Sequence, residues 1–414
     1  MPMPTATSTG WQPVLSAELR AAATARAFEV AERLRGRSER EPGLDGSAGT
    51  AFLFGQLDRI APGEGWDQHA HAALTDAVRG TETNGRNHPG LFVGTSGLAA
   101  AATYLSREGS RYGGLLATLD EQVAQATSEL SERFVKKPAR QPYEDFDAIC
   151  GLAGLDRYLL SRERPQLAGL VALCDSGPDD PNWFTPPEAL RKDTAIAEWY
   201  QGGVYNLGLA HGIPGPLAVL SVAYSQGYVV PRHAEAIART AEWLAAQRFD
   251  DEWGANWPAC LTPGGSPDSS QAAWCYGSPG VANTLLLAGN AIGDDKLREL
   301  AIEAMAALYR RPWSARLTGQ SPGLCHGVSG LLQITLRFAN DTGEPLFTEA
   351  ATELTERLLD LYRPELATGY YSRKSTGELR EHAGLLDGAA GTALALLAAS
   401  TPVEPAWDHV LLLS

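Results

Sequence analysis

Two cysteines and two histidines stand at matching points ahead of short glycine motifs. Cys275 lies two residues before Gly277, and Cys325 lies two residues before Gly327. His211 and His326 each lie one residue before a glycine, Gly212 and Gly327. The 414-residue chain holds only 5 Cys and 8 His, so random scatter would rarely put four of them on equivalent positions. Cys275, Cys325 and His326 read as a zinc set, because Zn²⁺ prefers thiolate and imidazole ligands in tetrahedral geometry. Cys325 and His326 are adjacent, and both can reach one ion if they lie in a turn rather than mid-helix. Three protein ligands leave the fourth position open, as catalytic rather than structural sites do. His211 could complete a structural set, but proton transfer suits it better. Cys150 also falls on the motif, just before Gly151, and reads as cavity-lining. Cys174 and Cys260 fall off it and read as ordinary cysteines.

Two thiolates cancel the charge of a bound Zn²⁺. Such a site suits holding an incoming thiol as thiolate better than making hydroxide. Metal binding deprotonates a coordinating thiol outright, against a free pKa near about 8.5. The implied reaction is attack of a substrate thiolate on an electrophilic carbon, for which Michael addition to a dehydroamino acid is one case. That addition makes an enolate, which needs a proton donor and stabilisation of negative charge. His211 is the general acid this reading assigns, since imidazole titrates near neutral pH.

The elements that would position these residues follow from an internal repeat. Gly-x-x-Gly opens an apolar run seven times, with first glycines at Gly46, Gly94, Gly151, Gly212, Gly277, Gly327 and Gly388. The intervals are 48, 57, 61, 65, 50 and 61 residues, a mean of 57. Segments after the motif, such as PLAVLSVA and TALALLAA, are apolar on nearly every side, which predicts buried helices. Segments between motifs, such as HAEAIARTAEWLAAQR and FTEAATELTERLLDLYR, are amphipathic at helical period. Alternating buried and half-exposed helices predict an all-α fold, a closed α/α toroid of about 14 helices. Neither terminal repeat looks like a polar cap, which favours a ring over an open solenoid. The glycines would permit close backbone approach at the helix starts. Seven helix N-termini at one end of the ring would favour negative charge there.

Composition excludes other classes. At roughly 150 residues per domain the length alone suggests two or three domains, but the repeat makes a single domain over 1–414 the better reading. A formal net charge of -15 argues against nucleic acid and against anionic membrane as partners. No apolar stretch is long enough for a transmembrane segment, and the N-terminus lacks a signal-peptide pattern. Scattered cysteines then fit a cytoplasmic protein with reduced thiols.

The blocks NLGLAHGIPGP (Asn206 to Pro216), AWCYGSPG (Ala273 to Gly280) and LCHGVSG (Leu324 to Gly330) resemble the signature blocks of the lanthionine synthetase C-like family. Its stand-alone class I lanthipeptide cyclases are the most similar branch, and the likeness runs through all seven repeats. The resemblance implies one Zn²⁺ per chain on Cys275, Cys325 and His326. It implies lanthionine and methyllanthionine ring formation in a dehydrated precursor peptide (leader plus core). It assigns His211 as acid or base. Asp147, in DFDAICG, matches an aspartate of the site and is a reasonable partner for His211. Tyr276 matches as a site-lining residue. One position departs: where many members carry Arg four residues before the WCYG cysteine, this chain has Gln271. An arginine would stabilise enolate charge, and an amide offers less.

Stretch 172–205 is rich in Pro, Gly and aromatics and breaks the pattern. The resemblance implies a small irregular or β decoration here at the cavity mouth, which reads either as a peptide-binding rim or as a plain long loop. Trp253, Trp257 and loop 262–270 are expected to complete the mouth. The chain leaves no room for a fused dehydratase region, so a separate lantibiotic dehydratase is expected. Where a biosynthetic complex forms at the membrane, an export transporter is expected too. Two other readings keep the zinc: glutathione addition to dehydroamino acids, and a non-catalytic binding or scaffold module. Prenyltransferase β subunits and toroidal glycosidases explain CHG plus WCYG less well.

Overall fold

The structure is a computed structural model that describes residues 10–39, 43–83, 88–177, 179–191, 198–263, 272–316, 321–373 and 378–414. The helices alternate between two layers in chain order. They are α1 (Ala17–Leu34), α2 (Ser47–Ile60), α3 (Trp66–Thr83), α4 (Thr95–Tyr104), α5 (Gly113–Lys136), α6 (Leu152–Ser161) and α7 (Ala168–Cys174). Then follow α8 (Pro214–Ser225), α9 (His233–Ala246), α10 (Ser278–Ile292), α11 (Asp295–Arg310), the single turn α12 (Trp313–Arg316), α13 (Val328–Thr342), α14 (Pro345–Asp360) and α15 (Ala389–Ser400).

Seven helices that follow the glycine motifs form the inner ring. Each packs on the next in the order α2, α4, α6, α8, α10, α13, α15, and α15 packs back on α2. The toroid is therefore closed. Inner helices are apolar because they have no solvent face: every residue of α15 is buried. Outer helices bury one stripe each. In α11 that stripe is Leu297, Ala301, Ala304, Met305 and Leu308, with charges opposite. The outer partner of the last inner helix is the first helix of the chain, α1 against α15. Trp11 Nε1 donates to Ala398 O at 2.8 Å and Arg20 Nε to Ser400 O at 3.0 Å, which ties the two ends together.

The axis of the ring is filled by the C-terminal segment, a 3-10 turn over Ala406–Leu411. It bonds to three inner helices, which places it inside the ring of helices. Arg157 of α6 donates to His409 O at 2.9 Å, and Asn283 of α10 to Leu412 O at 3.4 Å. Arg337 of α13 binds the fully buried Asp408 at 2.6 and 2.8 Å.

Among the described residues, six short strands decorate this ring as antiparallel pairs. They are β1 (Tyr205–Asn206), β2 (Phe249–Asp251), β3 (Gly254–Asn256), β4 (Cys260–Leu261), β5 (Ser372–Arg373) and β6 (Leu379–Arg380). The pairs are β1 with β4, β2 with β3 and β5 with β6. Stretch 172–205 ends in β1 and carries an isolated bridge between Thr185 and Val204. Its aromatic side chains pack on the outer layer, with Trp183 edge-on to Trp243 at 4.9 Å. One expectation is corrected here. Trp257 does not line a mouth: it is fully buried, with Nε1 donating to Leu244 O at 2.8 Å. Trp253 sits in the β2–β3 turn, where its carbonyl accepts from Arg310 of outer helix α11. Most of loop 262–270 lies outside the described residues. No helix among the described residues is long and apolar enough to cross a membrane.

Candidate active site

The seven loops that lead into the inner helices are stitched by backbone hydrogen bonds into a circular belt. Leu44 N–H donates to Phe92 O at 3.1 Å, and Phe92 N–H to Ile149 O at 3.1 Å. Ala148 N–H donates to Ala210 O at 3.0 Å, Ala210 N–H to Cys275 O at 3.3 Å, and Cys275 N–H to Cys325 O at 3.1 Å. Cys325 N–H then donates to Leu386 O at 3.0 Å, and Leu385 N–H to Leu44 O at 3.3 Å. The belt can form because glycine lets the loops come this close: a Cβ on Gly43 would lie 2.3 Å from Phe92 O, and one on Gly49 2.8 Å from Leu385 N. Glycine also lets each loop fold back on its own helix, where a Cβ on Gly330 would lie 1.9 Å from Leu324 O. Gly277 also has φ +94, which other residues rarely adopt.

Cys275 and Cys325 are direct neighbours on this belt. The donor atoms of Cys275, Cys325 and His326 all lie within 4.8 Å of one another. Cys325 and His326 occupy a turn just before α13, so adjacent side chains converge. The Cys325 thiol is held well above its usual pKa, first by its hydrogen bond to Cys275 and then by burial. Its hydrogen bond to Cys325 pushes the His326 imidazole up to about 9, against burial. This donor set fits Zn²⁺. It has the soft thiolates and imidazole that the ion prefers, at a spacing small enough for about 2.3 Å bonds to sulfur and about 2.0 Å to nitrogen. Asp387, one repeat further on, places Oδ1 at 3.9 Å from His326 Nδ1. That oxygen is buried and accepts no hydrogen bond.

On the other side of Cys275 the belt brings in His211 and Asp147. Asp147 is fully buried, and its Oδ1 accepts from the backbone N–H groups of Cys150 at 2.7 Å and Gly151 at 2.9 Å. Its Oδ2 lies 2.6 Å from His211 Nδ1. A carboxylate only accepts, so Nδ1 carries the proton and Nε2 is free to exchange one with a substrate. The His211 side chain keeps 33% of its exposure, so a substrate can reach it. Tyr143 stands edge-on to the imidazole at 5.8 Å, and Tyr276 faces it at 6.4 Å. Burial raises the Tyr276 hydroxyl well above its usual pKa, and that oxygen accepts from Asn206 Nδ2 at 3.1 Å.

The structure thus brings together Cys275, Cys325, His326, His211, Asp147 and Tyr276. Gln271 lies outside the described residues. Cys150 is half-buried on the belt, and burial pushes its thiol up to about 12. Cys260 lies opposite Asn206 across the β1–β4 pair. Sequence reasoning also passed over Tyr143, Asn206 and Glu144. A signal existed for the Asp147 position. Four residues before the first glycine, four other repeats carry Gly90, Gly208, Gly323 and Gly384, so a charged residue in that slot stands out. A cavity of about 510 Å³ lies at the far ends of α2 and α4, away from the belt. Its Arg107 and Arg111 are already paired with Asp58 and Asp67.

Comparison with known proteins places these features in a family. The family profile described as "Lanthionine synthetase C-like protein" matches residues 43–412. The curated "Nisin biosynthesis protein NisC" of Lactococcus lactis subsp. lactis is 25% identical over 298 residues, covering 68% of this chain and 70% of that protein. A solved structure of a nisin cyclase is similar with a TM-score of 0.74 and 22% identity, covering 96% of this chain and 97% of that one. That likeness shows a shared toroidal fold. The chain belongs to the lanthionine synthetase C-like family.

Proposed function

We propose that this protein is a zinc-dependent lanthipeptide cyclase, a single toroidal domain that works in the cytoplasm. It closes thioether rings by adding cysteine thiols to dehydroalanine or dehydrobutyrine within one dehydrated precursor peptide. The observation that carries this reading is the placing of two functions side by side on one belt: a Cys275–Cys325–His326 donor set and a carboxylate-anchored His211. The name of the NisC relative, a nisin biosynthesis protein, supports the same substrate class.

Cys275, Cys325 and His326 would hold the Zn²⁺, which when bound keeps a substrate thiol in its reactive thiolate form at neutral pH. The belt bond from Cys275 N–H to Cys325 O fixes the two cysteine backbones against each other. In the addition, a C–S bond forms between the cysteine sulfur and Cβ of the dehydro residue. The Cα=Cβ π pair moves onto Cα and the carbonyl oxygen. His211, protonated on Nε2, then gives that proton to Cα, and the thiol's own proton leaves to solvent. Asp147 holds the imidazole in position and stabilises its cationic form. Tyr143 and Tyr276 wall the imidazole on two sides and limit water around it. The partners are the dehydrated precursor, a separate dehydratase that makes the electrophile, and an export transporter where a complex forms at the membrane.

The test uses zinc-loaded protein and a dehydrated precursor peptide. Free thiols should disappear with no change in peptide mass. Thiols that persist in the presence of protein carrying about one zinc per chain would remove this reading. Loss of thiols only after adding free glutathione, with the matching mass gain, would replace it by glutathione addition.

A further inference from the structure

In four repeats the residue six places before the first glycine of the motif has the same backbone duty. His88 Nδ1 accepts from Gly90 N–H at 3.0 Å, and Asn206 Oδ1 from Gly208 N–H at 3.0 Å. Ser321 Oγ accepts from Gly323 N–H at 3.5 Å, and His382 Nδ1 from Gly384 N–H at 3.2 Å. One acceptor atom is enough for this cap, and a serine or a histidine provides it. Asparagine adds an amide nitrogen, and of these four repeats only that of His211 carries it. Asn206 is buried at 4% exposure, so that nitrogen needs a partner. The partner is the Tyr276 hydroxyl oxygen, at 3.1 Å.

The two bonds of Asn206 fix which way Tyr276 points its proton. Gly208 N–H only donates, so the amide oxygen faces it and the amide nitrogen faces Tyr276. That nitrogen also only donates, so the Tyr276 oxygen is the acceptor of the second bond. A phenolic proton lies in the plane of its ring, on one of two sides of the oxygen. With Asn206 on one side, the proton takes the other. Among the described residues no group accepts it. The ring is held as well: a Cβ on Gly208 would lie 2.5 Å from Tyr276 Cδ1, so the tyrosine packs directly on that glycine. Tyr276 is only half-buried, which leaves a substrate access to it.

A donor held open in this way belongs where negative charge develops. Tyr276 directly follows Cys275, and its ring faces the His211 imidazole at 6.4 Å. A substrate that reaches from the cysteine pair to His211 therefore meets this side chain. Thiol addition puts charge on the carbonyl oxygen of the acceptor residue, next to the Cα that His211 protonates. We propose that Asn206 is a positioning residue for Tyr276, and that Tyr276, so oriented, is a catalytic residue whose hydroxyl donates a hydrogen bond to that carbonyl oxygen. The bond strengthens as charge reaches the oxygen, so it favours the transition state over the bound substrate. The phenol keeps its proton throughout, and His211 still supplies the one that Cα receives. The inference rests on the cyclase reading. It gives the enolate a donor in a chain with glutamine at position 271.

The experiment compares wild type, Tyr276→Phe, Asn206→Ser and the double variant as full-length, zinc-loaded proteins. Asn206→Ser keeps a cap of the Ser321 kind but has no amide to reach Tyr276, so urea midpoints should stay close to wild type. The first readout needs no substrate. It is the Cζ signal of Tyr276 in protein labelled with [13Cζ]tyrosine, identified by its loss in Tyr276→Phe. Asn206→Ser should move that signal. The second readout is ring closure in a synthetic peptide bearing one dehydroalanine and one cysteine. Tyr276→Phe should lower kcat about a hundredfold with KM little changed. Asn206→Ser should lower kcat about tenfold. In the Tyr276→Phe background Asn206→Ser should change kcat less than about twofold, because it acts only through the lost hydroxyl. An unmoved signal overturns the orientation by Asn206. Full ring closure in Tyr276→Phe overturns the donor role. An equal effect of Asn206→Ser in both backgrounds overturns the positioning role. A moved signal with no ring closure even in wild type removes the cyclase reading and the donor role with it, while the orientation of Tyr276 stands.

Discussion

At the residue scale, the proposed site divides into candidate metal donors and a His211–Asp147 pair proposed to move a proton, and substitutions should separate them. Cys325→Ala removes one of three donors. Zinc content after gel filtration should fall well below one per chain, and ring closure should be lost. Asp147→Asn should behave differently. The amide keeps an oxygen for the Cys150 and Gly151 N–H groups but loses the charge facing His211 Nδ1. It can also donate to Nδ1 and so favour the wrong tautomer. Zinc content should stay unchanged while kcat falls about a thousandfold or more. The clustering of Cys275, Cys325 and His326 was legible in the sequence, because they are scarce residue types on a repeat register. The position of Cys260 was not, since it lies off the register and comes opposite Asn206 only through the β1–β4 pair.

At the scale of elements, the inner helices depend on glycines whose reason is steric. Gly330→Ala would place a methyl 1.9 Å from Leu324 O, a backbone atom next to Cys325. A stability loss of about 1–3 kcal/mol is expected, read by urea unfolding, together with weaker zinc binding. Gly113→Ala, at the start of α5 with open space around it, should be neutral or slightly stabilising. Inner helix α6 carries a second testable feature. Asp156 is fully buried, and burial raises its pKa to about 7 even though Oδ1 accepts from Gln166 N–H at 2.6 Å. Unfolded, it would titrate near about 3.9. A raised folded value means full stability below the unfolded pKa and loss as pH rises through the folded one. The contribution of Asp156 should therefore decline between about pH 4 and 7. Asp156→Asn should flatten that decline in urea midpoints measured across the window.

At the scale of the whole molecule, closure of the ring and the filling of its axis act together. The first helix covers the last inner helix, and the C-terminal segment bonds α6, α10 and α13 from within. The Arg337–Asp408 pair in that plug is buried, and Gln333 also donates to Asp408 at 2.7 Å. Asp408→Ala leaves the buried Arg337 guanidinium with only the looser Glu404 contact at 3.8 Å and should cost about 3–5 kcal/mol. Arg337→Ala should cost a similar amount, and the double variant less than the sum, measured by chemical denaturation. The plug also supports the site directly, since Trp274, just before Cys275, donates from Nε1 to Leu411 O at 2.8 Å.

The sequence by itself determined the seven-fold period, the two-layer alternation of helices and the positions that share one register. Those are local properties: apolar periodicity decides which helices are buried, and small residues decide where backbones can meet. It therefore exposed the Cys275, Cys325 and His326 cluster and His211, which stand at fixed offsets from the glycines. Only the tertiary structure decided which of these side chains touch. Asp147 and His211 are 64 residues apart and meet because the belt sets adjacent repeats against each other. The pairing of α1 with α15 and the axial course of the C-terminus likewise have no periodic signature. Stretch 172–205 shows the limit most clearly. Its course follows from particular bonds to Gln141 and Arg140 rather than from any repeat, so it could be read only once the chain was folded.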